Sequence, residues 1–157
     1  MKDWLFSGKD YVCDLRVAGV LVRDGKMLVQ RECSGHEFAI PGGHVKIGEM
    51  MSDSLMREFR EETGADIVLK RILWTEECFW EYQGRKVHSI TFYYLIELSD
   101  DSDVPDNGKM IPQKDNPDIL LGWMPVERLG DITIYPAFIR EEIHHLEKEI
   151  RHFVTYA

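Results

Sequence analysis

The apolar positions change period several times along the chain, and each change predicts an element. Residues 16–22 and 26–31 are rich in β-branched and other apolar residues, with Asp24-Gly25 between them. That dipeptide favours a tight turn, so the pair predicts a hairpin. Phe38-Ala39-Ile40 is a short apolar piece that runs into Pro41-Gly42-Gly43. From Ser52 to Thr63 the apolar spacing becomes helical, with Leu55, Met56 and Phe59 on one side. Ser52 is the expected N-cap and Gly64 the expected C-terminal stop. Residues 67–82 and 87–98 read as two long strands around a turn at Gln83-Gly84-Arg85. Residues 99–117 are rich in Asp, Asn, Gly and Pro and read as a loop. A last strand is expected over 119–124. An amphipathic helix is expected over 136–152, with Phe138, Ile139, Ile143, Leu146 and Ile150 as its buried stripe. Strands before and after a central helix make the fold α/β or α+β, in one domain spanning 1–157.

Composition agrees with one globular domain. The 157 residues are 44% hydrophobic and 30% charged, enough apolar material for a real core. With 19 Lys+Arg against 28 Asp+Glu the net charge is −9, which argues against a basic nucleic-acid surface. The three cysteines, Cys13, Cys33 and Cys78, form no CxxC pair. That spacing suits free thiols in a reducing cytoplasm better than a disulfide framework or a zinc site. The first residues lack the apolar core of a signal peptide, and no stretch approaches a membrane span.

The acids are not spread evenly. Glu58, Glu61 and Glu62 stack on one face of the central helix, because spacings of three and four put them side by side. Like charges at this spacing cost about 0.2–0.5 kcal/mol per pair. They also occupy the last turns, where the helix dipole disfavours anions. Arg57 can pair with Glu61 but offsets only part of the charge. Hard oxygen ligands in such a cluster suit Mg²⁺ or Mn²⁺. A helix that breaks local rules is a candidate functional site, although the string alone also reads as a solvated acidic face.

The surroundings sharpen this. From Gly43 to Ala65 the chain fits G-x5-E-x7-R-E-U-x-E-E-x-G-U, with U bulky and apolar. The matching residues are Gly43, Glu49, Arg57, Glu58, Phe59, Glu61, Glu62 and Gly64. A chance match in a chain of this length is on the order of 10⁻⁵. The segment resembles the box of the Nudix hydrolase family, MutT-like proteins among them; Ala65, small where the box has a bulky residue, is the one departure. Phe38 to Gly43 resembles the family's aromatic-x-x-Pro-Gly-Gly lead-in, and Gly122-Trp123-Met124-Pro125 its late Trp-x-Pro segment.

The resemblance implies an α/β/α sandwich with a mixed sheet. It implies hydrolysis of a diphosphate linkage in a nucleoside diphosphate joined to some group X. It implies that Glu58, Glu61 and Glu62 hold Mg²⁺, or Mn²⁺ in its place, with the Gly42 carbonyl as a further ligand. Glu49 and Arg57 would orient those carboxylates. Glu58 is the favoured general base, with Asp115 and Asp118 as late-loop alternatives. Gly42-Gly43 would allow close backbone approach and positive φ. Arg16, Arg31, Lys46 and Arg85 are candidate phosphate contacts, Gly43 borders the substrate, and Tyr82 could stack on a base, as could Phe79 and Trp80. His44, inside the box loop, could touch phosphate. The expected partner is a small nucleotide, with no stable nucleic-acid or membrane binding. Many relatives are dimers, so a homodimer is compatible. Two other readings stay open: a nucleotide-sensing domain without turnover, and an isopentenyl-diphosphate-type isomerase on the same fold.

Overall fold

Two tight turns set the frame. Asp24-Gly25 and Gln83-Gly84 each place two successive residues at positive φ, 53° and 75° in the first and 51° and 75° in the second. This is the backbone of a type I′ turn, whose twist matches that of the flanking strands. The computed structural model describes residues 1–157, apart from the side chain of Ser102. Eleven strands are found among the described residues. They are β1 (Leu5–Ser7), β2 (Tyr11–Arg23), β3 (Lys26–Glu32), β4 (Phe38–Ala39), β5 (Gly42–His44), β6 (Ile67–Tyr82), β7 (Arg85–Leu98), β8 (Ile111–Pro112), β9 (Ile119–Pro125), β10 (Ile134–Tyr135) and β11 (Arg151–Tyr156). Helix α1 (Met51–Thr63) lies between β5 and β6, and the short α2 (Ile139–Glu142) between β10 and β11.

The sheet is mixed. Its main path runs β10-β4-β3-β2-β7-β6-β11. The pairs β2/β7, β6/β11 and β4/β10 are parallel, and β2/β3, β3/β9 and β6/β7 antiparallel. Strand β2 belongs to both wings. Residues 11–21 pair with β7, whereas only Val22 and Arg23 pair with β3. The wings therefore diverge, and a cavity opens between Gln30 and Ala39 on one side and Thr91 and Glu76 on the other.

Helices cover both faces. Leu55 and Phe59 of α1 are fully buried and pack with Val17, Leu21 and Ile96. On the other face Ala18, Val20 and Tyr93 pack with Leu129, Ile139 and Ile143. The two clusters use alternate residues of β2, as the pleat requires. This is the α+β arrangement with a mixed sheet that the sequence implied.

Two local expectations are corrected. Helix α1 starts at Met51 and its N-cap position is Met50, with no side-chain cap; Ser52 is already inside the helix. Met51 packs against the core, and that apolar contact draws the first turn in ahead of Ser52. The stop at Gly64 holds: φ is 76°, and its N–H donates to the Arg60 carbonyl at 2.9 Å. The C-terminal helix over 136–152 does not form as expected. Only Ile139–Glu142 is α-helical, and Arg151–Tyr156 is a strand parallel to β6. Ile139 and Ile143 are buried as the stripe requires, but Ile150 is 57% exposed. The run Phe153-Val154-Thr155-Tyr156 is β-branched and aromatic and suits a strand better than a helix end. Docked on β6, it also covers an edge whose backbone groups would otherwise stay unpaired.

Urea denaturation distinguishes this arrangement from a continuous helix. Ile139→Ala is expected to cost about 2–5 kcal/mol and Ile150→Ala under about 0.5 kcal/mol. Comparable losses at both positions would contradict the strand.

Candidate active site

Helix α1 presents its glutamates at three depths. Glu62 is buried, the Glu58 side chain is 15% exposed, and that of Glu61 is 43% exposed. One guanidinium links the cluster. Arg57 Nε donates to Glu49 Oε1 at 3.0 Å, and Nη2 to Glu49 Oε2 at 3.2 Å. Its Nη1 donates to Glu58 Oε1 at 3.0 Å and to Glu61 Oε2 at 3.3 Å. Nη2 also donates to the His44 carbonyl at 3.3 Å, tying helix to loop. Ser54, fully buried, donates its hydroxyl to Glu49 Oε2 at 2.6 Å. Ser54, one turn before Glu58, thus anchors Glu49.

The glycines are required by space. A β-carbon on Gly43 would lie 2.3 Å from Cδ of Glu58, and one on Gly42 would lie 2.1 Å from the Val17 carbonyl oxygen. Close approach is thus the reason for Gly42-Gly43. The positive φ that the pair would also allow is not used there.

Proximity separates the carboxyls chemically. The Arg57 hydrogen bonds, followed by that of Ser54, hold Glu49 below its ordinary pKa against some burial. Burial lifts Glu58 above the usual range despite Arg57, with repulsion from Glu61 and Asp115 adding to it. Burial pushes Glu62 up to about 9, with Glu58, Asp115 and Glu61 contributing. Asp115 therefore belongs to this electrostatic group. The Asp118 backbone N–H donates to the Asn116 side chain, and its carbonyl accepts from Cys33 N–H. The loop is fixed to the helix by Lys114 N–H, which donates to the Glu62 carbonyl at 2.8 Å.

A second group adjoins the first. His44 Nε2 lies 2.8 Å from Asp14 Oδ2 and 3.1 Å from Arg16 Nη1. The contact with the carboxylate requires the proton on Nε2. Burial works against the Asp14 charge, but hydrogen bonds from His44 and Ser89 and the Arg16 charge outweigh it and lower its pKa. Arg16 lines the cavity, and its charge is felt by Glu62.

Two expected substrate contacts stand elsewhere. Arg31 Nη1 donates to the carbonyls of Glu32, Cys33 and Gly35, at 2.9, 3.1 and 3.2 Å. It alternates with Gln30, which lines the cavity, so its side chain leaves on the other face. Tyr82 pairs with Arg85 at the hairpin tip, six residues along β7 from Thr91, the partner of Arg16. At about 3.3 Å per residue that is about 20 Å from the row that holds Arg16. Sequence spacing along a bent chain cannot register this separation.

The donor set suits a hard divalent cation. It consists of oxygens, it concentrates negative charge, and Glu62 Oε2 is buried without a hydrogen-bond partner. Among the described residues no three His, Cys, Asp or Glu side chains form a finished metal cage. Glu58 and Glu61 are turned onto Arg57 and would have to swing from it toward Glu62.

A family model described as "NUDIX domain" matches residues 14–146. The chain is 27% identical over 134 residues to "Putative mutator protein MutT4" of Mycobacterium tuberculosis (strain CDC 1551 / Oshkosh), covering 83% of this chain and 47% of that protein. It is 37% identical over 60 residues to an "ADP-ribose pyrophosphatase" of Methanocaldococcus jannaschii, 36% of this chain and 36% of that protein. The chain thus spans less than half the length of these curated relatives. A solved NUDIX hydrolase from Nitrosomonas europaea superposes with a TM-score of 0.62 at 15% identity, covering 92% of this chain and 79% of that one. A MutT protein from Bacillus halodurans gives 0.61 at 16%, covering 92% and 90%. A UDP-X diphosphatase gives 0.59 at 19%, covering 89% and 66%. These likenesses show the fold.

The Glu62 environment sets a pH dependence for the metal-free protein. Its folded pKa, about 9, lies above its ordinary 4.5, so the stability it contributes is complete below about 4.5 and is lost as pH rises toward about 9. Thermal melts in chelator are expected to fall across that window. Glu62→Gln should melt above the wild type near the alkaline end, with the difference closing toward the acidic end. Parallel melting curves for the two proteins would contradict the buried, crowded carboxyl.

Proposed function

The chain belongs to the NUDIX family, and on that premise we propose that it is a pyrophosphohydrolase, cleaving a diphosphate linkage in a nucleoside diphosphate joined to a further group X with Mg²⁺ as cofactor. Mn²⁺ satisfies the same oxygen donors. The carrying observation is the Glu62 oxygen, buried without a partner beside Glu58 and Glu61 in the helix that carries the box carboxylates. The names of the M. jannaschii relative, an ADP-ribose pyrophosphatase, and of the UDP-X diphosphatase support the same reaction class.

Glu58, Glu61 and Glu62 would hold the cation, with the Gly42 carbonyl as a further donor. When bound, the cation would supply positive charge for the phosphoryl oxygens and would lower the pKa of an attacking water. Arg57 and Glu49 orient the carboxylates, and Ser54 fixes Glu49. Arg16, paired with Asp14, faces the substrate phosphates beside Gly43. Glu58 would take the proton of the attacking water. Of the late-loop alternatives Asp115 and Asp118, the Asp115 charge acts on Glu58 and Glu62. A cytoplasmic location goes with this reading, resting on the three free thiols. No helix among the described residues is long and apolar enough to cross a membrane.

The reading is tested with a panel of nucleoside diphosphates, nucleotide sugars, ADP-ribose and dinucleoside polyphosphates in Mg²⁺. At least one is expected to release a nucleoside monophosphate or orthophosphate product. Glu62→Gln should abolish turnover with the circular dichroism spectrum unchanged, and Glu49→Gln should slow it about 10–100-fold. Mg²⁺ should raise the melting temperature of the wild type and not that of Glu62→Gln. Undiminished hydrolysis by Glu62→Gln would overturn the site assignment.

A further inference from the structure

The cavity beside the carboxylate helix has a second polar end, outside the box. The cavity measures about 250 Å³. One row of the sheet crosses it: His44, Arg16, Thr91 and Glu76 stand in register on β5, β2, β7 and β6. With strands about 4.8 Å apart, the row spans about 14 Å from the box loop to Glu76. That is close to the reach of an extended nucleoside diphosphate from its phosphates to the far edge of its base.

Glu76 closes the row. It is only 5% exposed and lines the cavity. Its Oε1 accepts from the Tyr93 hydroxyl at 2.7 Å, and its Oε2 from the Thr155 hydroxyl at 2.8 Å. Burial, reinforced by the neighbouring Glu76 charge, keeps the Tyr93 phenol protonated and therefore a donor. Each carboxylate oxygen can accept two hydrogen bonds, so each keeps one acceptor position. Lining the cavity, Glu76 thus keeps acceptor capacity on both oxygens while two hydroxyls hold it in place. Ala39, Ile40, Tyr135 and Pro136 supply apolar walls suited to a flat ring.

We infer that Glu76, fixed by Tyr93 and Thr155, is the specificity-determining group of this cavity and selects a guanine base. The inference rests on the reading of the box as a nucleoside diphosphate site. Guanine sets its ring N1–H beside its N2 amino group, two donors side by side. Adenine and cytosine set an amino donor beside a ring-nitrogen acceptor, which would face a carboxylate oxygen. Uracil sets one N–H between two carbonyls. Hypoxanthine keeps N1–H and lacks the amino group. A buried acceptor left unfilled, or facing another acceptor, loses the compensation for its desolvation. Sites built around such hydrogen bonds reject ligands that lack them far more strongly than apolar pockets reject a change of size.

Calorimetric titration of the wild type with GDP, IDP and ADP reads this directly, without requiring turnover. GDP is expected to bind about tenfold or more tighter than IDP and ADP. Glu76→Gln, whose melting temperature is checked alongside, should bring the three affinities together. Tyr93→Phe leaves the carboxylate but frees one of its bonds, and should narrow the difference without abolishing it. Equal affinities in the wild type, no binding of any of the three, or undiminished discrimination in a folded Glu76→Gln would each overturn the inference and leave Glu76 a structural tie between β6 and β11. Base-selective binding with no hydrolysis in Mg²⁺ would count against the proposed reaction alone. Hydrolysis without base preference would count against the role of Glu76 alone.

Discussion

The charge crowding on α1 is the constraint around which the site is organised. Two unit charges 4 Å apart interact by about 1 kcal/mol in water and about 4 kcal/mol at an effective dielectric of 20. The half-buried end of α1 lies nearer the second case. Arg57 neutralises one charge while it bonds Glu49, Glu58 and Glu61, and Glu58, Glu61 and Asp115 add their charges around Glu62. Its effect fades with contact. Glu49, which receives both Nε and Nη2 as well as the Ser54 hydroxyl, is held low. Glu58 has a single bond to Arg57 and is raised by its burial. Glu62 has none and is raised furthest of the three. One cation thus sorts three nearby carboxyls into different protonation tendencies, and the most buried is left for a charge the chain does not contain.

The sheet sets this cluster against the cavity. Over Arg16 to Ala18, β2 pairs with β5 on one edge and with β7 on the other. Alternation sends Val17 to the core under Phe59, and Arg16 and Ala18 to the cavity. A register slip of one residue would exchange those faces. Gly42 resists such a slip, because its Cα lies against Val17 and Ala18 closely enough to exclude a β-carbon. The contact that fixes the loop therefore also fixes which β2 residues face the cavity.

The sequence made the periodic and the local features legible. The hairpin turns, the strand over Ile67–Tyr82, the stop at Gly64 and the depth of Leu55 and Phe59 all follow from short-range pattern. The box residues cluster because one helix and the loop before it carry them. What stayed hidden required knowledge of distant pairing. Ile139 and Ile143 fit a helical stripe, yet the strand at Arg151–Tyr156 exists because the edge of β6 is available to it. Arg31 and Tyr82 have suitable chemistry, but strand parity turns one away and strand length removes the other. Glu76 carries no local signal at all; its meaning comes from the row that joins it to Arg16 across β7. Asp115 and Asp118 were equivalent as loop acids, and only the closing of the loop onto Glu62 separates them.

Two buried glutamates lie at opposite ends of this arrangement, and their partners decide what each can accept. Glu62 has an oxygen without any donor and further negative charge around it. A neutral N–H could supply the missing bond there but would leave the repulsion from Glu58 and Glu61, so the full remedy is a cation. Glu76 has a hydroxyl on each oxygen. Its desolvation is already partly met, and its need is for further donors in the right geometry. The net charge of −9 hides this difference, because it counts both side chains alike. An acidic chain can hold an acidic nucleotide when the carboxylates near the phosphates are matched to a cation and the distant one to base N–H groups. Placement of the acids, more than their sum, determines which ligand the protein can take.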